Sequence, residues 1–154
     1  MTNEIARIDD ELHRAYDGDP WHGPSFRAIL ADVTAESAAK RHAAVAHSIW
    51  EIVAHASAWV EVVRRRLTEW RPITLTEAEN FPAVADTSSA AWTATLAELD
   101  SRVRALHELV AGLGAAKLEQ VVPGKDYTVA LMLHGTAQHL AYHGGQIALL
   151  KRLL

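Results

Sequence analysis

Residues 139–147 read HLAYHGGQI and lie within an apolar pattern of helical period that continues to the last residue. In a helix, the rings of His139 and His143 project from the same side one turn apart, rotated by only about 40° from each other. Such a pair suits a divalent metal, because the helix holds two imidazole ligands in place before the metal arrives. The stretch therefore predicts a long helix that presents half of a metal site, and a third ligand must come from elsewhere.

Three further long helical patterns precede this one. The first covers Ile5–Tyr16 and stops near Gly18, the second runs from about Ala44 to Trp70, and the third ends at Gly112. The predicted N-caps are Ser25 and Thr34 for two short helices, Thr87 or Ser88 for the third long helix and Asp126 for the fourth. No segment alternates like a strand, so the fold class predicted is an all-α, four-helix bundle.

The connection between the second and third long helices, Arg71–Thr87, contains Pro72, Asn80 and Pro82. Its roughly 17 residues can span more than about 50 Å when extended at ~3.3 Å per residue. A helix of about 25 residues is shorter than ~40 Å. The connection is therefore a long crossover that need not form a hairpin, which allows the second and third helices to run parallel.

Composition narrows the class of protein. A chain of 154 residues with 49% hydrophobic and 22% charged residues is predicted to form one globular domain over 1–154. The net charge is −4, and the basic run Arg64–Arg66 is interpreted as a solvated helix end, so nucleic acid is not an expected partner. Cysteine is absent, which excludes disulfides and zinc-thiolate sites. No membrane span or signal peptide is recognisable, so the expected location is cytoplasmic.

The third ligand is predicted to be His55. His55 lies on the apolar stripe of the second long helix, together with Trp59 and Val62. On the fourth long helix, His139 shares its face with Met132 and Gln146, which indicates that this face points towards the core. Inward histidines on facing helices of a bundle assemble metal sites, and His55, His139 and His143 would leave positions open for water or substrate. The alternative is that each ring is a core histidine bonded to a carbonyl or hydroxyl.

Neighbouring residues have two interpretations each. Glu51, one turn before His55, can serve as a proton acceptor at the site or pair with an arginine of a neighbouring element. Gln146 can hold a histidine ring or satisfy a buried polar contact, and Tyr142 can be a proton donor or a packed aromatic. Gly144 and Gly145 weaken a helix and so imply a close helix approach or room for a ligand. His47 is placed at the edge of the stripe, and His22 in an exposed loop that can reach a pocket mouth.

The segment SIWEIVAH, residues 48–55, followed by the terminal motif H-x-x-Y-H-x-G-Q-I, resembles the DinB/YfiT superfamily of metalloenzymes. The corner DPWHGP, residues 19–24, is similar to one DinB-like subgroup. The resemblance implies a four-helix bundle with a long crossover and a metal held by the equivalents of His55, His139 and His143. It also implies a homodimer, and several members use low-molecular-weight thiols in S-transfer or isomerisation. Many members have no established activity.

The function expected is therefore a metal-dependent enzyme that acts on a small molecule, either a hydrolase or a low-molecular-weight-thiol S-transferase. Three imidazole nitrogens suit zinc or nickel best, and iron and copper also fit. One alternative is a non-catalytic bundle that binds a metal or ligand, for example in a stress response. Another is a structural dimer whose histidines only pack the core.

Overall fold

The computed structural model describes residues 3–43 and 45–154, and the regular elements of that part of the chain are all helices. They are α1 (Glu4–Tyr16), α2 (Phe26–Leu30), α3 (Ala35–Ala39), α4 (Ile49–Glu69), α5 (Glu77–Asn80), α6 (Ser89–Ala111), α7 (Ala115–Leu118) and α8 (Val129–Leu153). A single isolated bridge pairs Val121 with Thr128 in the described residues. The all-α prediction is confirmed.

The four longest helices, α1, α4, α6 and α8, are the four that the sequence predicts. Both α1 and α4 pack against α6 and against α8, which closes a ring of four helices. Each contributes a fully buried side chain to one hydrophobic cluster, namely Ile8, Val53, Leu99 and Leu133. None of the described helices combines the length and apolarity needed to cross a bilayer.

Helices α4 and α6 run in the same direction. The Trp50 indole donates to the Thr95 hydroxyl at 3.0 Å, and the Arg102 guanidinium donates to the Ser57 hydroxyl at 3.1 Å. Partners on both helices therefore advance by seven residues together. A parallel pair requires a connection that returns along the bundle, so these contacts confirm the predicted crossover.

The crossover contains a short helix that the sequence did not predict. Helix α5 begins after Thr76, whose side chain and that of Glu79 form a reciprocal capping box. At its end, the Asn80 side-chain oxygen accepts a hydrogen bond from the Trp59 indole at 2.7 Å. This bond ties the crossover to α4 beside His55.

Two predicted helix starts are wrong. Residue 44, the predicted start of the second long helix, lies outside the described residues, but 45–48 are not helical and α4 begins at Ile49. Ser48 is its N-cap and forms a capping box with Glu51. The N-cap of helix α8 is Thr128 instead of the predicted Asp126. The Thr128 hydroxyl accepts a hydrogen bond from the Leu131 amide at 3.3 Å.

The interpretation of Arg64–Arg66 as a solvated helix end is wrong for one of its residues. Arg64 pairs with Glu61, and Arg65 pairs with Glu69, on the outer side of α4. Arg66 is only 3% exposed, because it follows Val62 by one helical turn on the inward stripe. The run therefore places one arginine inside the bundle.

His134 links α8 to α1 and gives stability a testable pH dependence. Its ring nitrogens contact the carboxylates of Glu11 at 2.7 Å and Glu4 at 3.2 Å, and hydrogen bonding to Glu11 is the main cause that raises the pKa of His134. A raised folded-state pKa stabilises the fold fully below the unfolded pKa near 6.5, and the effect is lost as pH rises through the raised value. We expect the stability difference between wild type and His134→Gln to shrink between about pH 6 and 8.

Urea unfolding of both proteins across this range, with chelator present, measures that difference. A gap that stays constant or widens with increasing pH contradicts the assigned role of His134.

Candidate metal centre

Three histidine side chains meet where α4 faces α8. The Nε2 atom of His139 lies 3.1 Å from Nε2 of His55 and 3.0 Å from Nε2 of His143. One ligand atom from each of the three residues lies within 4.8 Å of the others. The structure thus brings together the trio that helical periodicity selected.

Hydrogen bonds fix the tautomers of two of these rings. The Asn80 carbonyl lies 2.7 Å from Nδ1 of His55, and the Gln146 side-chain oxygen lies 2.6 Å from Nδ1 of His143. Both oxygens are acceptors, so each Nδ1 carries the hydrogen of a neutral ring. The Nε2 atoms of His55 and His143 consequently present lone pairs towards His139.

The arrangement of the Nε2 atoms is one that could hold a metal ion. His139 Nε2 can donate at most one hydrogen, so at least one of its two short contacts sets a lone pair against a nitrogen that offers it no hydrogen. A divalent cation at the centre of the three atoms removes this conflict. Ligands at 2.0–2.1 Å in a tetrahedral zinc site are separated by about 3.3 Å, close to the two separations between His139 and the other rings. The alternative interpretation, in which each ring is only a hydrogen-bonded core histidine, explains the two Nδ1 contacts but does not explain why the Nε2 atoms lie together.

The electrostatics of the cluster favour neutral rings. Burial, followed by the proximity of His143 and His55, lowers the pKa of His139 to about 3. Burial is also the main cause that lowers the pKa values of His55 and His143, partly offset by the acceptors Asn80 and Gln146. Neutral imidazole is the form that binds metal, so protons compete weakly at this site.

Aromatic rings cover the His55 side of the cluster. Phe81, the residue after α5, stacks on His55 with ring centres 4.1 Å apart, and His47 also stacks on Phe81, with ring centres 3.7 Å apart. His47 thus contacts the site through Phe81. Because it precedes the start of α4, the prediction that it sits at the edge of a helical stripe is wrong.

Two cavities adjoin the trio at different positions along α8. One of about 240 Å³ reaches His139 and is lined on α8 by residues between 131 and 139. The other, about 720 Å³, reaches His143 and is lined on α8 by residues between 142 and 153, together with His47 and Phe81. Two separate openings therefore lead to the histidines.

The remaining candidate residues have different positions. Gln146 holds the His143 ring, as one of its two interpretations proposed. The Glu51 carboxylate accepts from the Ser48 amide at 2.8 Å and pairs with Arg41, so it serves the helix start and not the trio.

Tyr142 is 65% exposed, with its ring edge-on to His143 at 5.1 Å. His22 is exposed and lines a separate cleft beside Gly144 and Gly145.

The two glycines were explained by a close helix approach or by room for a ligand, and the surroundings of Gly144 and Gly145 differ in this respect. A Cβ on Gly144 would lie 3.1 Å from Cδ1 of Ile29, so this glycine permits the close approach of α2. A Cβ on Gly145 would meet nothing within 4 Å, and that residue is exposed.

Replacing Glu51 with glutamine tests its structural assignment. We expect the free energy of unfolding to fall by about 1 kcal/mol, because the variant loses the charge that pairs with Arg41 and strengthens the capping box. Zn²⁺ affinity should stay within about twofold of wild type. Chemical unfolding and zinc titration measure the two effects, and a large loss of zinc affinity at full stability would contradict the assignment.

The described part of the chain is an all-helical bundle in which three neutral histidines converge beside two cavities, and this group of histidines could hold a metal ion. The chain belongs to the DinB superfamily, whose family model matches residues 8–147. Comparisons with the curated proteins and with the solved structures give no match.

Proposed function

We propose that this protein is a metal-dependent enzyme in which His55, His139 and His143 hold one divalent transition ion, with zinc and nickel the best candidates. The observation that carries the proposal is the convergence of Nε2 atoms, two of which have lone pairs fixed by Asn80 and Gln146. When bound by three neutral ligands, the ion supplies Lewis acidity that brings the pKa of a water or thiol towards neutrality.

The protein's own groups orient and shield this chemistry. The Asn80 carbonyl and the Gln146 amide hold two rings in the binding tautomer. Phe81 and Trp59 border His55, with Trp59 edge-on to both His55 and His139. These rings limit the access of bulk water and lower the local dielectric, which strengthens the electrostatic effect of a bound ion.

Transfer of a low-molecular-weight thiol to an electrophile fits the site better than hydrolysis. A hydrolase needs one organic substrate and water, whereas a transferase must hold two organic substrates near one centre. The two cavities reach different histidines, His139 and His143, and so offer separate places for a thiol and its acceptor. The larger cavity is mainly apolar and suits the bulkier reactant.

A paired assay tests this choice. Zinc- and nickel-loaded protein is incubated with cysteine, glutathione or another small thiol and a panel of electrophiles, and thioether products are measured by mass spectrometry. Ester and amide hydrolysis is followed in parallel. Thiol adducts that require both metal and His55 support the transferase, whereas hydrolysis without thiol favours the hydrolase. Tight ligand binding without any product would indicate a binding protein.

A homodimer and a cytoplasmic location remain predictions. Light scattering coupled to size-exclusion chromatography tests the first, with a mass of twice 16.9 kDa expected.

A further inference from the structure

Arg66 is a buried cation on the inward face of α4. Its Nη1 donates to the Tyr127 hydroxyl at 3.0 Å and its Nη2 donates to the Ile73 carbonyl at 2.8 Å. The guanidinium also lies over the Trp59 ring, 5.6 Å from the centre. All three contacts are to neutral groups, so they position the charge without compensating it.

No carboxylate of the described residues lies within ion-pair distance of this guanidinium. The neighbouring Arg64 and Arg65 each pair with a glutamate, whereas Arg66 has no ion pair and its Nε is buried without a hydrogen-bond partner. Guanidinium has five N–H donors, and the two bonds above use two of them. Taking a charge out of water is costly unless it is paired, so a residue held this way is poised for an anion from outside the chain.

The space beside Arg66 is the smaller cavity, of about 240 Å³, which extends to His139. Its walls are mainly apolar, formed by Trp59, Val63, Leu131 and Met132 among others, with Gly135 on the α8 side. Its volume is below that of cavities for drug-sized ligands. The cavity therefore suits a small molecule with an apolar body.

We propose that this cavity binds a small carboxylate, with the acid group at Arg66 and Tyr127 and the apolar body extending towards His139. Guanidinium presents its N–H groups in a fork that matches a carboxylate, and a charge-assisted pair is strongest in a site shielded from water. The inference deepens the proposed function and rests on it, because it identifies the electrophile as an acid whose far end faces the histidine trio.

Isothermal titration calorimetry with benzoate tests the proposal, and benzamide is the neutral isostere. Each compound is titrated into metal-free and zinc-loaded protein at constant ionic strength. We expect benzoate to bind about tenfold or more tightly than benzamide in both forms, because the amide keeps one acceptor oxygen but loses the negative charge and the second acceptor. Binding by the metal-free form separates capture by Arg66 from coordination to zinc.

Three variants locate the binding. Arg66→Met removes the charge, and Gly135→Leu fills the cavity from α8, where a Cβ meets nothing within 4 Å. Gly145→Leu is the matched control, because a Cβ there is equally free and the residue does not line this cavity. Both test variants should weaken benzoate binding by about tenfold or more, and the control should leave it unchanged. If Arg66→Met does not fold, Gly135→Leu still tests whether benzoate binds in this cavity, because it leaves Arg66 in place.

Equal affinity for benzoate and benzamide, no saturable binding of either, or benzoate binding that survives both test variants would overturn the proposal. Zinc stoichiometry is measured on the same samples. If zinc does not bind but benzoate still depends on Arg66 and Gly135, only the enzyme proposal fails.

Discussion

Replacing His139 with alanine is expected to weaken zinc binding by about a hundredfold or more. A structural zinc site gains roughly 10–16 kcal/mol from four ligands, so one ligand contributes about 3 kcal/mol, or two powers of ten in affinity. The loss should be larger than for an isolated surface histidine, because His139 Nε2 contacts the Nε2 atoms of both other rings. Competition with a chromophoric chelator measures the affinity.

His134→Gln is the matched control. This histidine lies on the same helix but binds Glu4 and Glu11 instead of the trio, so its loss should leave zinc affinity within about twofold of wild type. Equal losses in the two variants would mean that zinc binds histidines non-selectively.

Replacing Gln146 with leucine should lower zinc affinity by about 10- to 100-fold while all three histidines remain. The Gln146 oxygen accepts the Nδ1 hydrogen of His143 at 2.6 Å and thereby keeps the lone pair on Nε2. Without this acceptor, the ring is free to rotate or to change tautomer. Zinc titration of the folded variant gives the magnitude.

Gln138→Leu is the control for this change, since Gln138 is exposed on the same helix. Unchanged zinc affinity in Gln146→Leu would show that the hydrogen bond does not orient His143 for binding.

The helices and the trio were predictable because both depend on local periodicity. Apolar spacing located the four long helices, and the same wheel geometry turned His139 and His143 to one side and His55 to the inward stripe. Gln146 follows His143 by one turn, which is also a local relation. A hydroxyl residue three positions before a glutamate, Ser48 to Glu51, was a readable start signal for α4 that the apolar pattern obscured.

The remaining features depend on contacts between distant segments. The acceptor for His55 is the carbonyl of Asn80 in a crossover whose path no local pattern specifies. The stacking of Phe81 on His55 has the same origin. The inward position of Arg66, one turn after Val62, is a local relation that its charged neighbours obscure. Its partners, the Ile73 carbonyl and the Tyr127 hydroxyl, lie in segments whose approach to α4 no local pattern specifies.

Metal content is the most direct test of the three-histidine centre. Elemental analysis is done on untagged wild type and on the His55→Ala, His139→Ala double variant, each exposed to excess zinc and then desalted. The account predicts about one zinc per wild-type chain and less than about a tenth in the folded double variant. A folded double variant that retains a full equivalent of zinc would contradict it.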